Sequence, residues 1–140
     1  KLDFFLRYPA FLKRAATVLG RTLTPQELGV ETEAELDSVE SRMIRYRFGP
    51  WDTVYYSALA YLIGKGLVQV DASDRTEEFG LTDAGAVLAD ALLKDENYSD
   101  LKARADAVYG LFSRWQGTRL KEFIYQHFPE VTNQTMGQQV

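Results

Sequence analysis

The chain has 140 residues, of which 46% are hydrophobic, 26% charged and 13% aromatic, a balance expected of one soluble globular domain able to build a core without metal or disulfide staples. It contains no cysteine, which excludes disulfide frameworks, thiol nucleophiles, iron–sulfur clusters and Cys-ligated zinc, and is compatible with a reducing, cytoplasmic setting. With 16 basic and 20 acidic residues the net charge is −4, which argues against a general nucleic-acid coat protein.

Leu2, Phe5, Leu6, Phe11, Leu12, Ala15, Val18 and Leu19 recur at three- and four-residue spacing and predict helix from about residue 2 to 19, split by Pro9 and stopped by Gly20. The opening segment, Lys1 to Arg7, lacks the apolar stretch and cleavage site of a signal peptide. It also lacks Met, which points to loss of an initiating residue or short leader. Thr24-Pro25-Gln26-Glu27 places a hydroxyl N-cap, a first-turn Pro and an acid together, so a short helical turn ending at Gly29 follows. Thr32 and Glu35 have capping-box spacing and open a helix through roughly Met43.

Residues 45–52, with Gly49-Pro50 as punctuation, read as a helix interruption, and Asp52 as the N-cap of the next helix. That helix carries Trp51, Val54, Tyr55, Ala58, Leu59, Leu62 and Ile63 as one apolar stripe and closes at Gly64 or Gly66. The run from Ser57 to Gly64 is far too short to cross a membrane. Leu67–Val70 and Arg75–Leu81 alternate around the turn residues Asp71–Asp74 and predict a hairpin. Thr82 or Asp83 then caps a helix with Ala86, Val87, Ala89, Leu92 and Leu93 on its inner face. Ser99 starts another helix, and Gly117-Thr118 divides it from a last one ending at Pro129.

This order predicts a mainly α fold with a small β-hairpin: a winged-helix-like single domain over 1–131 with extra N- and C-terminal helices. The helix-turn-helix would span about 32–64 and the wing about 67–81, and residues 132–140 would be a flexible tail.

No catalytic, metal or cofactor constellation is recognisable. His127 is the single histidine and falls in the last turn of a helix, where the dipole suits it, and no His-Glu-x-x-His pair exists. Asp71 with Asp74, and Asp95 with Glu96, are carboxylate pairs in turns, better explained by capping and solvation than by a cation. Gly64-Lys65-Gly66 lacks the rest of a phosphate-binding loop, and no serine sits in a nucleophile elbow.

The second helix of a helix-turn-helix commonly reads base edges with Arg, Lys, Asn or Gln, yet residues 52–63 contain none of these. They offer Thr53, Tyr56 and Tyr61 instead, beside Trp51, which suits contact with a protein partner. Arg42, Arg45 and Arg47, interleaved with Tyr46 and Phe48, form the best basic patch. It would pair with the acidic run Glu31–Glu40, contact phosphate, or meet an acidic partner. The wing, with Arg75 amid Asp71, Asp74, Glu77 and Glu78, is a poor minor-groove probe.

Three strings carry a family resemblance: Leu2-Asp3-Phe4-Phe5-Leu6-Arg7-Tyr8-Pro9, Ser38 through Asp52 with Arg45-Tyr46-Arg47-Phe48-Gly49-Pro50-Trp51-Asp52 at its end, and Phe123-Ile124-Tyr125-Gln126-His127-Phe128-Pro129-Glu130-Val131. Over residues 2 to 131 the chain resembles the middle-component proteins of bacterial ABC-three-component systems, which include Lamassu-type anti-phage systems. The resemblance implies a small winged-helix-like subunit without its own catalysis, and the lack of cysteine, cofactor motifs and long apolar runs adds the expectation of a cytoplasmic setting with no cofactor and no membrane partner. The subunit would bridge an SMC- or Rad50-like ATPase and an effector subunit, often a nuclease, and meet DNA through the complex. A winged-helix transcription regulator, and an antitoxin-like inhibitor, are the alternative expectations.

Overall fold

The computed structural model describes residues 1–32, 35, 36, 43–46, 49–72, 77–133, 135 and 137, except for the side chains of 44–46 and 49. The fold is mainly α with small antiparallel β-hairpins, as the sequence pattern predicts. The chain forms two compact units, one of Lys1–Asp52 with Ser99–Val140, the other of Thr53–Tyr98.

The first unit opens with α1 (Leu2–Arg7) and α2 (Pro9–Val18). Tyr8 between them leaves helical geometry because the ring of Pro9 disfavours it, and Pro9 then takes the first position of α2. In α3 (Pro25–Leu28) the expected cap is present in full: Thr24 accepts from the Glu27 amide, and Glu27 accepts from the Thr24 amide at 2.9 Å. Gly29 ends α3 at φ +58°, and a Cβ there would strike the backbone carbonyl of Asp100, so the site demands glycine twice over.

Of the helix expected over 32–43, residues 33, 34 and 37–42 lie outside the described residues. Glu35 accepts from the Glu31 amide (2.8 Å) and from the Thr32 hydroxyl (3.1 Å), a local cap shifted by one residue from the expected box. The segment read as a helix interruption is instead a second hairpin, β1 (Ile44–Tyr46) with β2 (Gly49–Trp51), in the register Ile44 opposite Trp51. Pro50 is compatible because a two-stranded ribbon leaves one edge of each strand unpaired.

The helices α6 (Ser99–Phe112), α7 (Gly117–His127) and α8 (Pro129–Thr132) complete this unit. Gln116 rather than Thr118 flanks the start of α7. The core is aromatic: Phe5 stacks on Phe112 with ring centroids 4.7 Å apart, and both Phe4 and Phe5 meet Phe128 edge-on. Arg104 of α6 donates to the carbonyls of Leu6, Leu28 and Gly29 at 2.9–3.0 Å, which ties the C-terminal ends of α1 and α3 to α6. Arg14 holds α8 in the same way, with two bonds to Glu130 and its guanidinium 4.3 Å from the centre of the Phe128 ring.

The second unit is α4 (Val54–Gly64), the hairpin β3 (Val68–Asp71) and β4 (Glu78–Leu81), and α5 (Asp83–Leu93), followed by a 3₁₀ turn at Glu96–Tyr98. The hairpin falls where the wing was expected, while its connection, 73–76, lies outside the described residues. Thr82 caps α5 by accepting from the Gly85 amide at 3.0 Å, and its hydroxyl donates to the Gly66 carbonyl at 2.6 Å. Gly85 packs α5 against the start of β3, since a Cβ there would collide with the Leu67 carbonyl.

Among the described residues no helix is long and apolar enough to cross a membrane. Residues 134, 136 and 138–140 of the expected tail lie outside the description, and Thr132 closes α8.

Candidate partner-binding surface

Helix α4 has no buried residue. Tyr55, Ala58, Leu59 and Leu62 form a half-buried stripe at the expected spacing, while Val54 and Ile63, expected inside with them, are exposed. Successive residues turn about 100° round a helix, so the stripe is flanked on one side by Val54 and Tyr61 and on the other by Tyr56 and Ile63. Tyr56 and Tyr61 are 64% and 63% exposed, but about 140° apart round the axis. They therefore stand at the two margins of the outward side of α4.

Thr53 flanks the start of α4, exposed, and makes no side-chain capping bond. Asp52 precedes it, and its carboxylate accepts from Arg7 at 2.6 Å. The ion pair also holds Asp3 against Arg7 at 2.7 Å. Trp51 is half-buried on β2, the strand that α7 packs on, and so belongs to the first unit, whereas Thr53, Tyr56 and Tyr61 belong to the second.

Of the basic candidates, Arg42 and Arg47 lie outside the described residues. Arg45 sits in β1 opposite Pro50, and its side chain is not described.

Sequence reasoning missed the rest of the second unit's apolar exposure. On α5, Val87 is 72% exposed, and Ala86, Leu92 and Leu93 are exposed too, although the pattern placed them inward. Val70 and Phe79 form an exposed cross-strand pair on the hairpin. Gly85 is the one buried residue among those described in 53–98. The physical reason is layering: a helix face is buried only where another element covers it, and spacing alone reports a face, not its cover. Apolar exposure of this extent makes the unit a candidate interaction surface. The unit is also acidic, with three bases against eight acids for a net −5, while the first unit has thirteen bases against twelve acids.

A shallow open hollow on the hairpin is lined by Gln69–Asp71 and Glu78–Gly80, with Asp71 directly opposite Glu78 and no base in its wall. Among the described residues no group of three or more His, Asp or Glu is placed to hold a metal ion. The Asp95 carboxylate accepts from the backbone and side-chain amides of Asn97 at 2.9 Å, the capping role expected for it. His127 ends α7, its ring 4.8 Å from that of Phe123 and its carbonyl bonded by Arg14.

The carboxyls of Glu27, Glu35 and Glu130 titrate below the ordinary range. Glu27 is held down first by the Thr24 amide and then by Arg21, Glu35 by the Glu31 amide, and Glu130 by its hydrogen bond from Arg14. All three serve helix ends or ion pairs. Comparison of the chain with protein-family models, with curated proteins and with solved structures finds no match.

Proposed function

We propose that the chain is a non-catalytic interaction subunit of a bacterial anti-phage defence complex of the ABC-three-component, Lamassu type, bridging an SMC- or Rad50-like ATPase and an effector subunit such as a nuclease. The observation that carries this reading is the acidic second unit, whose α4 presents Val54, Tyr56, Tyr61 and Ile63 outward. Residues 54–64 contain no Arg, Lys, Asn or Gln, so a base-reading role for α4 has no side chains to perform it. Rigid aromatic side chains with apolar neighbours favour a protein groove or coiled coil, and the charge of the unit favours a basic rim on that partner.

The test is co-purification of the tagged chain with an SMC-like ATPase encoded beside it. Stable association is expected, and Tyr56→Ala with Tyr61→Ala weakens it at least tenfold, as for two interface anchors worth about 1 kcal/mol or more each. Absence of any such ATPase from the purified complex refutes the assignment. The regulator alternative predicts duplex binding that falls with salt and with Arg45→Ala.

A further inference from the structure

The positive charges of the first unit are distributed in a way its net charge hides. Arg7 is spent on Asp3 and Asp52, Arg14 on Glu130, Arg21 on Glu27, Lys102 on Asp106, and Arg104 on three backbone carbonyls. Four described bases of the first unit, Lys1, Arg114, Arg119 and Lys121, have no carboxylate partner; Lys1, Arg119 and Lys121 lie about the first two turns of α7, and Arg114 lies in the link that precedes it.

Their placement follows from the local structure. Lys1 comes from the other end of the sequence, with its Nζ 3.6 Å from where a Cβ on Gly117 would lie. Lys121 is about 40° round the helix from Gly117, so it shares the flank that Lys1 reaches. Arg119 is about 200° from Lys121, on the opposite flank, where its guanidinium lies 4.0 Å from the centre of the Trp115 ring. Arg114 sits exposed in the link between α6 and α7. No acid occurs between Asp106 and Glu122, and Glu122 pairs with none of the four.

We propose that this ring of bases is a phosphate-backbone contact for nucleic acid. The surroundings separate this from an acidic protein partner. A protein interface draws its affinity from a desolvated apolar centre, and over residues 113–119 the single apolar side chain is Trp115, half-buried and covered by Arg119. The exposed side chains between the charges along 113–119 are Ser113, Gln116 and Thr118, hydrogen-bonding groups that suit phosphate and sugar oxygens, while the exposed Glu122 stands between Lys121 and Arg119 round the helix. With its indole covered, Trp115 is not offered to bases, so the contact reads charge and spacing, not sequence. Arg119 stacked on Trp115 keeps its N–H edge available while losing little freedom on binding. The inference stands independently of the defence-complex assignment.

The test uses the full chain and a fluorescein-labelled random-sequence duplex of about 20 base pairs, followed by anisotropy from 50 to 200 mM salt. Four phosphate contacts give a slope of log affinity against log salt of about −3.6, a loss of about 150-fold across that range. Arg114→Gln/Arg119→Gln/Lys121→Gln lowers the slope to about −0.9, whereas Arg119→Lys, which keeps the charge, retains most of it. Lys65→Gln/Lys94→Gln/Lys102→Gln removes equal charge elsewhere and leaves the slope unchanged, and far-ultraviolet circular dichroism checks that every variant is folded. Absence of duplex binding at 50 mM salt, an equal loss in the Lys65/Lys94/Lys102 variant, or displacement of the duplex by polyglutamate at equal charge concentration overturns the proposal, the last by assigning the surface to an acidic polypeptide.

Discussion

Replacing Arg104 with Ala removes one side chain that closes two helix ends at once. Its guanidinium donates to the carbonyls of Leu6, Leu28 and Gly29 at 2.9, 2.9 and 3.0 Å. Each lost charge-assisted bond costs about 1.5–3 kcal/mol where the group is buried. Arg104 is half-buried and water can replace part of what is lost, so about 1 kcal/mol per bond, and about 3 kcal/mol in total, is the expected destabilisation. That corresponds to a drop in melting temperature on the order of 10 °C for a chain of this size. Both tryptophans, Trp51 and Trp115, lie in the first unit, so intrinsic fluorescence during urea unfolding reports that unit by itself. The urea midpoint should fall with an unchanged m-value. Arg104→Lys should recover roughly a third of the loss, since one ammonium retains the charge but not the three-pronged geometry. A change under about 0.5 kcal/mol in Arg104→Ala would show that the guanidinium does not hold α1 and α3 to α6.

Gly29→Ala introduces both a strained φ of +58° and a clash with the Asp100 carbonyl, and destabilises the first unit by about 2 kcal/mol or more in the same fluorescence assay. Glu130 is depressed by Arg14, so the ion pair contributes fully above the ordinary carboxylate range and is lost as pH falls through the lower folded value. Because the pair is about two-fifths exposed, Glu130→Gln costs only about 0.5–1 kcal/mol at pH 7. The difference from the parent chain should shrink in urea titrations as pH falls from the ordinary carboxylate range through the lower folded value, whereas a constant difference across pH would exclude the ion pair as its source.

Local chemistry made several elements legible before any packing was known. The cap at Thr24 with Glu27, the break at Pro9, the hairpin over 68–81 and the Thr82 cap depend on residues within a few positions of one another, and each is present. The hairpin at 44–51 was not legible, because Gly49-Pro50 signals an interruption without saying that the flanking residues pair. The two tyrosines of α4 were recognised as exposed from their spacing, but their division between two margins required the helix phase set by the half-buried stripe of Tyr55, Ala58, Leu59 and Leu62.

The sequence by itself determined the absence of cysteine chemistry, the helical periodicities, the caps and the acidity of residues 71–100, all of which are composition or short-range spacing. Only the tertiary structure decided which charges are neutralised. Arg7 and Asp52 are 45 residues apart, and Arg14 and Glu130 are 116 apart, so no local pattern shows that they pair. Nor does any pattern show that Lys1 reaches Gly117 and leaves an unpaired basic ring at α7. The apolar faces of α4 and α5 follow the same logic. Periodicity orients a side chain relative to its own helix axis, whereas burial depends on which distant segment arrives to cover it.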